Sequence, residues 1–581
     1  DGGRLLCQAP TGIGKSMSVL FPALKSMGNE SVGPIFYLTA RGTTRTAAEN
    51  ALAILRDTEP ELHLRSVTLT AKDKICLCET RECTPEACPY ANGYYARIKG
   101  ALWDVLDVPC LTAETLQEYA ERHMVCPFEL GLDSSLWSDV IIGDYNYLFD
   151  PVVHLVRFFE SAGDYIFLVD EAHNLPGRAR EMHSAALTKT SFYEAKKLLG
   201  KGKSSLKNAL TKVNDVFIEW RHRAEEETAA RDGRFGKTFF LKERSEEFDH
   251  LLNRLCEPLE AWLDDHREPD ETHTALLQLY FDVRAWLRVA DTFDDHFVLQ
   301  ITASGSEVRA AQLCLDPSAF LADSFALGRA AVLFSATLAP ASYYKDLCGV
   351  PEARAVALRS PFPAGNQGLF CIGNVSTRYK DRDASLAIVE ESLATMVRAR
   401  CGNYLAFFPS YAYMEQAYAQ FKEHCPEINC IKQENAMDEQ QKAAFLAQFV
   451  PGPSQPLLGF AVMGGVFGEG VDLTGDRLIG VGIVGPGLPQ VGPRQEQLRD
   501  YFEQTRGSGF DYAYRYPGMN KVLQAAGRVI RTPRDKGVVL LIDNRFAMPD
   551  YRRLMPPHWS HLKMIYDTEK LERELWRFWE E

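Results

Sequence analysis

Ala9-Pro10-Thr11-Gly12-Ile13-Gly14-Lys15-Ser16 is the stretch whose reading decides the fold. A short apolar run, Leu5-Leu6-Cys7, precedes it, and apolar residues at helical spacing (Met17, Leu20, Phe21, Leu24) follow. The pattern predicts a strand, a glycine turn and a helix. Such a turn aims backbone N–H groups and a helix N-terminus at phosphate oxygens. Thr11, Gly12, Gly14, Lys15 and Ser16 are therefore the expected nucleotide-binding residues, with Lys15 reaching the β- and γ-phosphates and the Ser16 hydroxyl ligating Mg²⁺. Ala9 stands where the first glycine of such a loop usually sits. The rival reading, a glycine turn that binds nothing, is disfavoured by the strand–loop–helix setting.

Outward from this loop the chain alternates. Ile35–Leu38 reads as a buried strand, Ala47 to Leu55 as a helix, and Val140–Ile142 and Tyr165–Val169 as further strands. Residues 178–325 are long, charged and helix-patterned at Phe217–Arg223, Ser245–Leu263 and Thr272–Arg288, with breaks at Gly202, Gly233 and Gly236. A strand returns at Ala331–Phe334. From 356 a second alternating unit carries strands at Tyr404–Phe408, Leu458–Val462, Leu478–Val481 and Val538–Ile542. The expected class is α/β, with two parallel sheets covered by helices. The first unit is divided into 1–69, 137–177 and 326–355 by insertions at 70–136 and 178–325, and the second unit is 356–581.

At 581 residues the chain needs several cores. Its apolar fraction of 46% and charged fraction of 24% are those of a globular protein, and no apolar run is long enough to span a bilayer. A net charge of −14 argues against a protein that coats nucleic acid, but not against one that grips a strand in a local basic channel. The chain begins at Asp1 with its first strand almost at once, so a preceding natural N-terminus is expected. Fourteen cysteines beside a nucleotide loop point to the reducing cytoplasm, hence to buried thiols or metal ligands. Six of them crowd between 76 and 126.

The hydrolytic residues follow. Asp170-Glu171-Ala172-His173 closes an apolar strand, where ligands collect in open parallel sheets. Asp170 is expected to hold Mg²⁺, Glu171 to orient and deprotonate the attacking water, and His173 to relay the nucleotide state. Gln524-Ala525-Ala526-Gly527-Arg528-Val529-Ile530-Arg531 supplies positive charge, with Arg528 and Arg531 expected on one helix face. With Lys15 on one unit and the arginines on the other, ATP would lie between two domains whose cleft closes on binding.

The order Ala9–Ser16, Thr39-Ala40-Arg41, Asp170–His173, Ser335-Ala336-Thr337-Leu338, Gly468-Glu469-Gly470-Val471-Asp472 and Gln524–Arg531 resembles the motif series of superfamily 2 helicases. Ser360-Pro361-Phe362, Asp144-Tyr145-Asn146-Tyr147-Leu148 and the cysteine-bearing insertion resemble the DinG/XPD-like iron–sulfur branch. The resemblance implies two RecA-like motor domains, an iron–sulfur domain (70–136) and a helical arch domain (178–325) inserted in the first, and 5′→3′ movement on single-stranded DNA. It places Gly470 and Asp472 with the nucleotide-binding residues. It favours Cys76, Cys83, Cys88 and Cys126 as ligands of a [4Fe–4S] cluster, because Cys88-Pro89-Tyr90-Ala91 and Cys126-Pro127-Phe128 look like the family's ligand-bearing sequences. By spacing alone a Cys₄ zinc site is equally open, and Cys78 and Cys110 compete as ligands.

Single strands are held by basic residues and aromatic faces, for which Thr39, Arg41, Tyr145, Asn146, Tyr147, Phe408, Ser410, Tyr411, Tyr514 and Tyr516 are the candidates. The reading is a cytoplasmic, monomeric, Mg²⁺- and ATP-dependent 5′→3′ DNA helicase acting on single-stranded and forked DNA in repair or replication. The alternatives are a DNA-stimulated translocase that does not unwind, a helicase-nuclease with its nuclease upstream of Asp1, and a non-catalytic metal-binding module.

Overall fold

The computed structural model describes residues 2–28, 32–40, 42–59, 61–80, 82–201, 204–230, 236–268, 270–468 and 473–580. Its strands, in chain order, are β1 (Gly3–Gln8), β2 (Ile35–Thr39), β3 (Ser66–Thr68), β4 (Cys110–Leu111), β5 (Val140–Asp144), β6 (Gly163–Asp170), β7 (Ala185–Thr188), β8 (Lys237–Leu241), β9 (Phe297–Ser304), β10 (Glu307–Cys314), β11 (Gly328–Ser335) and β12 (Arg354–Ala357). They continue as β13 (Gln367–Ile372), β14 (Asn403–Phe408), β15 (Asn429–Lys432), β16 (Leu457–Val462), β17 (Gly480–Val484), β18 (Gly537–Ile542) and β19 (Lys563–Ile565).

Three sheets result. The first lobe holds an eight-stranded parallel sheet in the order β12-β1-β11-β6-β2-β5-β3-β4. The second holds a seven-stranded parallel sheet in the order β15-β16-β14-β17-β18-β13-β19. Central strands such as β2, IFYLT, and β14, NYLAFF, are buried at every residue. Continuous apolar runs of this kind suit parallel strands covered by helices on both faces.

The second insertion differs from expectation. It is not simply a helical arch, because the helices Lys189–Leu198, Ser205–Ala230, Glu246–Asp265 and Glu271–Asp291 pack on a four-stranded antiparallel sheet, β7-β10-β9-β8. The β9–β10 hairpin turns on Gly305 and Ser306, with Gly305 at φ +61°. A two-residue turn with positive φ matches the strand twist and lets eight residue pairs face one another. Its core is separate, with Trp286, Phe248 and Phe217 fully buried.

The first insertion is tied to the first sheet by β4, which pairs with β3. The second-lobe segment around Leu498, Phe502, Tyr512 and Tyr514 packs into the hydrophobic core of the first lobe. The Tyr343 ring lies 5.1 Å from Tyr512 and 5.2 Å from Tyr516.

In the second lobe, fully buried Asp543 follows β18. It accepts hydrogen bonds from Thr377 N (3.0 Å), Thr377 Oγ1 (2.6 Å), Arg545 N (2.8 Å) and Arg545 Nε (2.7 Å). Burial alone would raise its carboxyl, but the Arg545 bond and charge, with Thr377, outweigh burial and depress it. That stability is present above the unfolded value near ~3.9 and is lost as pH falls through the lower folded value. Asp543→Ala should destabilise the second lobe by about 3 kcal/mol at pH 7, since it leaves a buried arginine unpaired. Urea unfolding should show the gap to wild type narrowing as pH drops below ~4.

Candidate nucleotide site between the lobes

Strand order brings the phosphate loop to the acidic turn. β1, β11 and β6 are neighbours, with Gln8 in register with Ser335 and Phe334 with Asp170. Three distant chain segments thus meet at adjacent carboxyl ends, where ligands of parallel sheets bind. Gly14, at φ +73°, precedes the helix Lys15–Met27 and turns the chain into it. Gly12, at φ +80°, does more: a Cβ there would lie 2.0 Å from the Arg531 carbonyl oxygen. Only glycine admits the second lobe so close.

Other contacts cross the same seam. Thr11 Oγ1 donates to the Gly527 carbonyl at 3.2 Å. Gln524 Nε2 and His173 Nε2 are 2.5 Å apart. With the amide nitrogen donating, His173 Nε2 accepts and Nδ1 carries the proton toward Ser335 Oγ, 2.7 Å away. Ser335 in turn donates to Glu171 Oε2 at 3.0 Å. A line of hydrogen bonds thus runs from the second lobe to the Glu171 carboxylate. The sequence reading anticipated a relay at His173 but assigned Ser335 no part in it.

Tyr37 was not anticipated either. Its hydroxyl donates to Asp170 Oδ2 at 2.6 Å, which uses its single proton, so Ser16 Oγ at 3.0 Å donates to the Tyr37 oxygen. The apolar strand β2 gave this tyrosine the look of a core residue. Tyr145 donates to the Asp170 main-chain carbonyl. Burial, then the charge of Glu171, pushes the Asp170 carboxyl up to about 6. Burial acts to raise Glu171 too, but the hydrogen bond from His173, with Lys15 and Ser335, outweighs it and holds Glu171 ionised well below the usual range. Glu171 sits at φ +48°, a left-handed conformation that costs a non-glycine residue ~1 kcal/mol or more. Asp170 Oδ1 accepts from the Glu171 backbone N–H at 2.8 Å.

Between the lobes, Glu171 and His173 line a cleft of about 460 Å³ together with Lys15, Gln524, Arg528 and Arg531. The arginines are not on one helix face as expected. The helix Tyr516–Ala526 ends before Gly527, and Val529 and Ile530 turn into the core. Arg528 Nη2 donates to the Gly468 carbonyl at 3.0 Å, and Asp535 Oδ2 accepts from Arg531 N at 2.7 Å. Gly470, Asp472 and Arg41 lie outside the described residues.

The cysteine region is drawn together by Arg97, whose guanidinium Nε donates to Met124 O at 2.9 Å and Nη2 to Pro89 O at 3.1 Å. It ties the loop after Cys88 to the turn before Cys126. Cys78 Sγ is 3.8 Å from Cys88 Sγ, and Cys76 interacts with Cys78. Lys72 interacts with Cys83 and Cys126. Cys110 is in β4, paired with Ser66. Among the described residues no three His, Cys, Asp or Glu side chains converge tightly enough to hold a metal ion. The thiols are donors of the kind iron–sulfur clusters take, and the structure gathers them as two groups, Cys78 with Cys76 and Cys88, and Cys83 and Cys126 about Lys72.

The expected aromatic platforms fail where their rings are internal. Tyr145, Tyr147, Phe408 and Tyr514 are buried, and Phe408 stacks on Phe460. Strand-end aromatics of a parallel sheet are drawn into its covered faces. Tyr516 is half-buried against Tyr343. Thr39 is buried on the nucleotide cleft. Asn146 Oδ1 accepts from Arg178 at 3.2 Å, Ser410 Oγ from Arg382 at 3.2 Å, and the Tyr411 hydroxyl from Gln433 at 2.7 Å. Near Ser410, the exposed ring of Tyr379 lies 5.3 Å from the Arg382 guanidinium, a pair the sequence reading passed over.

A DEAD_2 family model matches residues 59–192, and a helicase C-terminal domain model matches 393–562. The XPD helicase subunit of general transcription and DNA repair factor IIH from Schizosaccharomyces pombe is 24% identical over 540 residues, covering 77% of this chain and 67% of that protein. The ATP-dependent DNA helicase CHL1 of Coccidioides immitis is 22% identical over 78% of this chain, which spans 60% of it. A solved structure described as "XPD_Helicase" superposes with a TM-score of 0.64 at 18% identity over 97% of this chain and 96% of the other, which shows a shared fold. No helix among the described residues is long and apolar enough to cross a membrane.

Gly12→Ala should force the Arg531 main chain away from the loop. Titration with a fluorescent ATP analogue should show at least about tenfold weaker binding, ~1.4 kcal/mol.

Proposed function

The chain belongs to the DEAD_2 family of superfamily 2 helicases, with XPD and CHL1 among its relatives, and from that premise we propose that it is an ATP-dependent DNA helicase. The observation that carries this reading is the seam: a phosphate loop and acidic turn on one lobe are bonded directly to the Gln524–Arg531 segment of the other.

The backbone of the loop and the N-terminus of the helix Lys15–Met27 would receive the triphosphate, with Lys15 on its outer phosphates. Ser16 and Asp170, joined through Tyr37, offer the hard oxygen donors that suit Mg²⁺. When bound, Mg²⁺ supplies charge neutralisation at the β/γ oxygens. Glu171, held ionised, would accept a hydrogen bond from the attacking water and orient it. Arg528 and Arg531 would neutralise charge on the transferring phosphoryl group. His173 and Ser335 report to Glu171 whether Gln524 is in place, so hydrolysis follows lobe closure.

We further propose 5′→3′ movement on single-stranded DNA and opening of forked duplex, in repair or replication. Ser410, Arg382 and Tyr379 are the favoured strand contacts on the second lobe. Parting one base step costs ~1.4 kcal/mol and stacking a freed base returns ~1–3 kcal/mol, so binding alone gives no direction and hydrolysis supplies it. The insertion at 70–136 would stand at the fork, with Cys83, Cys88, Cys126 and one of Cys76 or Cys78 as ligands of a [4Fe–4S] cluster, which supplies folding energy to a small subdomain.

ATPase and fork-unwinding assays test this. The wild type should hydrolyse ATP faster with single-stranded DNA, and Lys15→Ala should abolish hydrolysis. Arg528→Ala should lower kcat by ~10³. Iron and acid-labile sulfide should be present in equal amounts in anaerobically purified protein. Cys126→Ser should lose unwinding while retaining ATPase. Lack of any DNA-stimulated ATPase in the wild type would overturn the reading.

A further inference from the structure

The cleft is also lined by Phe362, to which the sequence reading assigned no role, and by Gln367, Trp559 and His561, which lie outside the quoted motifs. The chain crosses between the lobes there. Leu358 N donates to Gln8 O at 2.8 Å, and Phe362 comes close enough that its Cζ would be 3.0 Å from a Cβ at Gly12. The same cleft is lined by the turn Pro557–Trp559, closed by a bond from Trp559 N to Pro556 O at 2.9 Å, and by His561. Phe362, Gln367, Trp559 and His561 all line the cleft. An apolar, aromatic-walled extension next to a phosphate site has the chemistry of a base pocket.

One wall residue has a defined polarity. His561 Nε2 lies 2.9 Å from the Gln367 carbonyl oxygen. A carbonyl can only accept, so Nε2 carries the hydrogen and Nδ1 of the neutral ring is left as an acceptor. Adenine offers an N6 amino donor, whereas guanine and hypoxanthine place an acceptor oxygen at the same position. An acceptor in the wall pairs with the first and repels the others.

We propose that the pocket between Phe362 and the Pro556–His561 turn holds the nucleotide base, and that His561 makes it select a 6-aminopurine over a 6-oxopurine. The proposal rests on the nucleotide reading of the cleft given above. It makes the second lobe, through a segment next to β19, the reader of the base, so base recognition and lobe closure are one event.

Competition against a fluorescent ATP analogue tests it on the unaltered protein with ATP, GTP, inosine triphosphate and purine riboside triphosphate, which lacks the amino group. The 6-oxo nucleotides should bind at least about tenfold more weakly than ATP, with purine riboside triphosphate between them. His561→Ala should weaken ATP about tenfold and leave GTP within twofold, so the preference collapses, and Phe362→Ala should weaken all four alike. Equal binding of all four to the wild type, or an unchanged ATP-to-GTP ratio in His561→Ala, would overturn the base pocket while leaving ATP hydrolysis intact. A wild type that binds no triphosphate would remove the nucleotide reading and this proposal together.

Discussion

The absence of a side chain at Gly12 is the constraint on which the rest depends. It lets the Arg531 main chain from the far lobe close over the phosphate loop, and the Thr11–Gly527 and Gln524–His173 bonds form in the same narrow gap. A site of this kind exists only while both lobes are in place. Its residues come from the ends of β1, β11 and β6 on one lobe and from a helix terminus on the other, separated by hundreds of positions, and neither sheet presents all of them.

The lobes are also joined away from the nucleotide. Tyr512 donates to Asp346 at 2.5 Å, and the helix Pro493–Arg506 contributes Leu498 and Phe502 to the first lobe's core. Arg180 of the first lobe lies over the Phe502 ring at 5.8 Å, and Arg506 reaches Asp316 at the root of the antiparallel insert at 3.9 Å. A shared apolar core resists separation more than a few hydrogen bonds do. Opening of the polar seam about this joint is the motion the packing favours. The insert, touched at its root by the same helix, is placed to feel it.

The insertions show how such a motor acquires parts without losing its sheets. Each leaves from and returns to the first lobe at strand ends, so the parallel order of β1, β11 and β6 survives. The antiparallel insert brings its own core, whereas the cysteine-bearing insert leans on β4 and on the Arg97 clamp. Ile98, Ala101, Leu116 and Leu130 of the latter join the first lobe's core instead of forming a separate one.

Local chemistry made much of the molecule legible in advance. The strand–glycine–helix pattern at 5–24 and the apolar strand before Asp170 declare a phosphate site and an acidic strand end, because backbone geometry and periodicity act over a few residues. The strand-rich nature of the second insertion was missed because β9 and β10 are embedded among long charged helices and are recognised only when paired. Tyr145 and Phe408 look like base platforms by position, yet burial is decided by which helices cover the sheet. The sequence by itself determined the helicase family and singled out Lys15, Asp170, Glu171 and Arg528 as the candidates for its site. Only the tertiary structure decided that Ser335 and Tyr37 join them, that Arg528 and Arg531 lie beyond the helix end, and that His561 lines the same cleft. Those outcomes depend on strand order and lobe approach, which no stretch of neighbouring residues encodes.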